Sequence, residues 1–213
     1  MRPNRRAFLT ASCTAILALS ATAAQAAPVA AATAVVPVSG SIAGHGYGYW
    51  LGAWWKRVLS SPPSTSACPA TTAAGPVALP LGGFSNRPET YHCALPAGTA
   101  IYVPQLSAEC TAPIKGGVDA CARKAFAGST AMSVTLDGRT VPHLTRYATA
   151  SPTFSFTAPK HGNLLGATQR HGRAAAYGIG LLLRPLPAGQ HTITVKGTAT
   201  HLHLDVTYHI RIR

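Results

Sequence analysis

His201-Leu202-His203-Leu204-Asp205-Val206-Thr207-Tyr208-His209-Ile210-Arg211-Ile212 alternates apolar and polar residues without a fault. Leu202, Leu204, Val206, Tyr208, Ile210 and Ile212 face one way, and His201, His203, Asp205, Thr207, His209 and Arg211 the other. A period of two is the geometry of a strand with one dry face and one wet face. A slip of one residue would turn the whole apolar row into water, so the register is strongly specified.

The same pattern extends upstream. After Gly75, short apolar runs alternate with Gly and Pro corners, which predicts strands over 76–81, 90–95, 100–105, 131–136, 139–147, 152–157, 176–184 and 191–196, besides 201–212. Asp137-Gly138 between two of these runs is a hairpin signal, because a two-residue turn needs positive φ and Gly supplies it without steric cost. Leu95-Pro96-Ala97-Gly98 and Leu186-Pro187-Ala188-Gly189 share turn chemistry, and each precedes a strand. The expected fold is mainly β: an antiparallel β-sandwich, jelly-roll or immunoglobulin-like, with one N-terminal amphipathic helix.

That helix is read from Tyr47, Trp50, Leu51, Trp54, Trp55, Val58 and Leu59, which recur at three- and four-residue spacing over about 46–60. Pro62-Pro63 ends it. Trp54 and Trp55 admit two readings. A stripe at helical spacing packs the helix onto the sheet, and exposed indoles would stack on a glycan. Packing is the favoured reading.

Asn4-Arg5-Arg6-Ala7-Phe8-Leu9-Thr10, an Ala/Leu-rich stretch too short to span a bilayer, and Ala24-Gln25-Ala26 occur in the order of a twin-arginine-type signal peptide over 1–26. Residues 27–43 read as a flexible mature N-terminus and 44–213 as one domain, with no transmembrane segment after the leader. An exported chain folds in an oxidising place, so Cys68, Cys93, Cys110 and Cys121 read as two disulfides. Three connectivities are open; near neighbours paired in order, Cys68–Cys93 and Cys110–Cys121, are favoured. Spacings of 25, 17 and 11 contain none of the close Cys pairs that structural zinc requires.

Eighteen Lys and Arg stand against five Asp and Glu, and charged residues are 11% of the chain, well below the roughly 25% of soluble domains. A basic surface suits anionic partners. The cations are scattered, without a nucleic-acid arm or a recognisable nucleic-acid motif, so cell-wall glycan or another anionic polymer is the expected partner rather than nucleic acid. No phosphate loop, dinucleotide-binding pattern or serine nucleophile elbow is present, and no cofactor is expected.

Three constellations remain. His201, His203 and Asp205, with His209 beyond them, share a strand face where alternate residues lie about 6–7 Å apart. They are candidate metal ligands, completed by His191 or His143 from a neighbouring strand. A solvated polar row is the plainer reading. Glu109, next to Cys110, and Asp119, in the segment bracketed by Cys110 and Cys121, are the candidate acid–base pair of a glycosidase. Trp54 and Trp55 are the candidate ligand-stacking residues.

Trp50-Leu51-Gly52-Ala53-Trp54-Trp55 leading to Ser61-Pro62, the four cysteines, Pro96-Ala97-Gly98, Val134-Thr135-Leu136-Asp137-Gly138 and Asp205 to Tyr208 together resemble a family of secreted prokaryotic proteins with no assigned activity. The likeness covers roughly 45–213. It implies export, paired cysteines and a β-rich fold, and it carries over no functional residue. The expected function is therefore a non-catalytic extracellular or envelope-associated module binding glycan or anionic polymer. The alternative is a secreted hydrolase, metal-assisted if the histidine row holds an ion.

Overall fold

The computed structural model describes residues 31–69, 76–167 and 169–213. The leader read over 1–26 lies outside the described residues.

Among the described residues, ten strands, three α-helices and one 3-10 turn follow in chain order. They are α1 (Ala31–Ala34), α2 (Tyr47–Ser60), β1 (Val77–Ala78), β2 (Glu89–Leu95), β3 (Ala100–Thr111), α3 (Val118–Phe126), β4 (Thr130–Leu136), β5 (Arg139–Thr140), a 3-10 turn (Leu144–Tyr147), β6 (Ala148–Ala150), β7 (Phe154–Thr157), β8 (His171–Leu183), β9 (Gly189–Ala199) and β10 (Leu202–Ile212). One sheet has the order β1-β3-β8-β6, with β7 also on β8; the other has the order β2-β10-β9-β4-β5. The fold is mainly β with two sheets. Among the described residues no helix is long and apolar enough to cross a membrane.

β10 behaves as its alternation requires. Leu204, Val206, Tyr208, Ile210 and Ile212 are buried, while His203 and Arg211 are exposed. Its apolar row meets Ile101 and Val103 of β3 and Ile179, Leu181 and Leu183 of β8 in one cluster, so the two sheets share a core. The other face of the first sheet carries α2. Trp50, Leu51, Trp54, Trp55 and Val58 pack on Tyr102, Ala176 and Leu182. Two glycines let the helix approach: a Cβ at Gly48 would fall 2.4 Å from the Ala150 carbonyl oxygen, and one at Gly52 would fall 3.2 Å from Ser151 Cβ.

The structure revises the expected strands and N-terminal segment in four ways. The pairing is not antiparallel throughout, because β1 runs parallel to β3 and β2 parallel to β10. Parallel neighbours cannot be joined by a hairpin, so no local turn signal announces them. β3 runs six residues beyond the predicted end, past a register shift between Pro104 and Ser107. Pro104 has no N–H to donate, which suits an irregular step. Gln105 bridges the step: its amide nitrogen donates to the Lys196 carbonyl at 2.8 Å, and its oxygen accepts the Leu106 N–H. The expected strand over 139–147 is a two-residue strand followed by the 3-10 turn.

The fourth revision concerns the N-terminal segment. Part of 27–43, expected to lie outside the fold, belongs to it. Val35 and Val36 are buried, the Val36 N–H donates to the Leu182 carbonyl at 2.8 Å, and the Arg184 N–H donates to the Ala34 carbonyl at 2.8 Å.

Candidate functional site

Both disulfides form as favoured, Cys68–Cys93 and Cys110–Cys121. The second does more than close a loop. A further helix, α3, for which the sequence carries no clear signal, begins inside the segment that it brackets and runs on past Cys121. Only Ala122 of its nine residues is fully buried. The helix is held by the bond from Cys121 to Cys110 of β3, by Phe126 edge-on to Tyr177 with centroids 5.4 Å apart, and by the Arg123 guanidinium 4.4 Å above the Tyr177 ring. Gly116 and Gly117, at φ 85° and 87°, turn the chain into it.

Between α3 and the β9–β10 turn lies a groove of about 690 Å³. It falls in the volume range typical of ligand sites. Lys115 lines it from the turn before the helix, Lys124 from the last turn of the helix, and His201 from the β9–β10 turn. No Asp or Glu lines it. Ile114, 42% exposed, supplies an apolar lip. Lys124 lies where a helix favours cations, at its C-terminal end. The arrangement can hold an extended anion by several weak, solvent-facing contacts.

The structure does not bring Glu109 and Asp119 together. Glu109 is level with Ala176 across the β3–β8 pair, and Ala176 belongs to the cluster under α2. Cys110, the next residue, faces the opposite way to meet Cys121. Asp119 is exposed in the first turn of α3. The two carboxyl groups therefore occupy opposite faces of the sheet. Burial pushes the Glu109 carboxyl above its ordinary range, and a hydrogen bond donated by the Thr111 hydroxyl offsets part of that rise.

Trp54 and Trp55 are buried, at 3% and 8% exposure. Trp54 Nε1 donates to the Pro80 carbonyl at 2.7 Å, and Trp55 Nε1 donates to Ser107 Oγ at 3.0 Å. Phe84 stacks on Trp54 with centroids 5.8 Å apart. Beneath them a cavity of about 60 Å³ is bounded by Gln105, Leu204 and Tyr208. It is sized for water rather than for a sugar ring.

The histidine row disperses. His201 lies in the turn, where its carbonyl accepts from Asn86 Nδ2 at 3.3 Å. The His203 N–H donates to Asn86 Oδ1 at 2.7 Å. Asp205 is paired with Lys196 Nζ at 3.1 Å. His191 is buried and held by Asp137 and the Pro187 carbonyl, and His143 precedes the 3-10 turn at φ 57°. Among the described residues no three His, Cys, Asp or Glu side chains gather to hold a metal ion.

Two polar arrangements have no signature in the sequence. Glu89 accepts from the Gly83 N–H at 2.7 Å, the Ser85 N–H at 3.1 Å, the Ser85 hydroxyl at 2.6 Å and the Tyr91 hydroxyl at 2.8 Å, pinning the loop before β2. Across the wet face of the second sheet, Thr90, Thr207, Thr194, Thr135 and Thr140 align as one rung, one from each strand. No single strand shows that rung, because it exists only in the register.

No family model matches the chain, and no curated protein matches it in sequence. Among solved structures, the solution structure of amebosin aligns at 8% identity over 60% of this chain and 100% of that one, with a TM-score of 0.20, too low to bear on fold or function.

Proposed function

We propose that the protein is exported by its twin-arginine-type leader and works outside the cytoplasm as a non-catalytic module that binds an anionic polymer or acidic glycan of the cell envelope. The observation that carries this reading is the groove beside α3, with Lys115, Lys124 and His201 on its walls and no carboxylate among them. The formal charge of +13 falls to +10 once the leader, with Arg2, Arg5 and Arg6, is removed, and that excess still draws polyanions towards the molecule. The groove gives that attraction a place and a shape. Two disulfides suit a chain that must hold its form in an oxidising exterior. The shared core of the two sheets supports a sandwich of the jelly-roll or immunoglobulin-like kind as the scaffold. A hydrolase would have to rest on Glu109, which has no second carboxylate across a cleft from it.

The test is a binding titration with dextran sulfate and with neutral dextran of matched length. The expected result is salt-sensitive binding of the sulfated polymer alone, weakened about tenfold by the double change Lys115→Ala and Lys124→Ala. Lys196→Ala, which removes a cation that does not line the groove, serves as the control. Equal binding of neutral dextran, or a double variant that binds as tightly as the parent, overturns the proposal.

A further inference from the structure

His92 and His209 stand side by side on the wet face of the second sheet. They are level with one another across the parallel pair β2·β10. Their rings are stacked with centroids 4.8 Å apart and planes 21° apart. His92 is exposed and His209 half-buried. His209 is not free to turn at random, because its Nδ1 lies 3.3 Å from Thr192 Oγ1 on β9. A hydroxyl that accepts the Nδ1 hydrogen leaves Nε2 as the bare nitrogen. This is the supporting contact that orients metal-bound imidazoles and fixes their tautomer. β2 is anchored behind the pair by Cys68–Cys93, next in sequence to His92.

We propose that His92 and His209 form a two-imidazole surface site for a divalent transition metal, with Cu²⁺ the preferred ion and Ni²⁺ and Zn²⁺ weaker. Metal–nitrogen bonds of about 2.0–2.1 Å meeting at a right angle place the two nitrogens about 3 Å apart. Neighbouring side chains on paired strands reach that separation by small ring rotations from the stacked arrangement. Two nitrogens at a right angle, with water in the remaining positions, suit the tetragonal preference of Cu²⁺, which also heads the affinity order for nitrogen donors. The site differs from the His201–His203–Asp205 row. Asp205 is occupied by Lys196, and His203 lies six residue pairs away along β10. One feature opposes a cation: Arg211 is the next outward residue on β10, paired with Ala94. Its charge weakens binding without abolishing it.

Copper titration of the purified protein, followed by calorimetry and by electron paramagnetic resonance, tests the site. The expected result is one strong ion per chain with two equatorial nitrogens. His92→Gln and His209→Gln each weaken it at least about tenfold and leave one nitrogen in the spectrum. Arg211→Gln tightens it several-fold. The altered side chains face solvent, so near-ultraviolet dichroism should match the parent and certify folding. No stoichiometric binding by the parent, or full binding by the His92→Gln variant, overturns the proposal. So does a loss for His203→Gln as large as that for His209→Gln, because it would put the ion on the β10 row.

Discussion

His191 Nδ1 and Asp137 Oδ2 lie 2.9 Å apart, joining the start of β9 to the hairpin between β4 and β5. His191 is 3% exposed, and its Nε2 faces the Pro187 carbonyl at 3.0 Å. Asp137 Oδ1 accepts the Thr192 N–H at 2.8 Å, and Asp137 itself takes φ 51° as the first turn residue before Gly138. One carboxylate thus holds a buried ring and a β9 amide, at a residue with left-handed backbone. Asp137→Ala should cost about 2–4 kcal/mol in urea unfolding, because it leaves the ring and the amide unpaired and removes a residue type that tolerates positive φ. Asp137→Asn should cost less than half of that. A cost for Ala below that for Asn would refute this account of the turn.

The tryptophans separate core from platform. Trp54→Ala should lower unfolding free energy by about 3–5 kcal/mol, as large-to-small changes in a buried aromatic cluster do. Trp55→Ala should do the same and also leave Ser107 Oγ without its partner. Intact stability with lost polymer binding would mean that these indoles act at the surface.

Acid sensitivity should trace to Glu89. Burial alone would raise its pKa, but hydrogen bonds from the Ser85 hydroxyl, the Gly83 N–H, the Tyr91 hydroxyl and the Ser85 N–H outweigh that and hold it below the usual carboxylate range. A folded-state pKa below the unfolded value of about 4.3 adds stability that is fully present above that value. It is lost as pH falls through the folded pKa. Glu89→Gln should flatten the acid limb of a stability–pH curve, and an unchanged limb would count against the network.

Glu109 has the opposite sign. Its raised pKa means that ionising it costs stability as pH rises from about 4.3 through the folded value. Glu109→Gln should be more stable than the parent at pH 7, and the gap should close at pH 4. Paired denaturation curves at the two pH values measure it.

Removing Cys110–Cys121 by a double change to Ala should cost about 2–4 kcal/mol. It should also speed hydrogen exchange in α3 more than in β8. α3 keeps few buried side chains once the bridge is gone, so exchange confined to the β-strands would contradict its role in shaping the groove.

The cysteine pairing was only the favoured one of three, whereas alternation along β10 and the helical stripe of Trp50, Leu51, Trp54 and Trp55 were readable from residues close in the chain. Each records which side of a segment leaves water, and burial is written into local periodicity. The α3 helix was not readable: nine residues with one buried side chain have too little helical stability of their own, and packing and a disulfide supply the rest. The stacking of His92 on His209, the threonine rung and the meeting of Lys115 and Lys124 with His201 depend on which strands become neighbours and in what register. That choice is settled by the summed energy of distant contacts, to which no single segment holds the key.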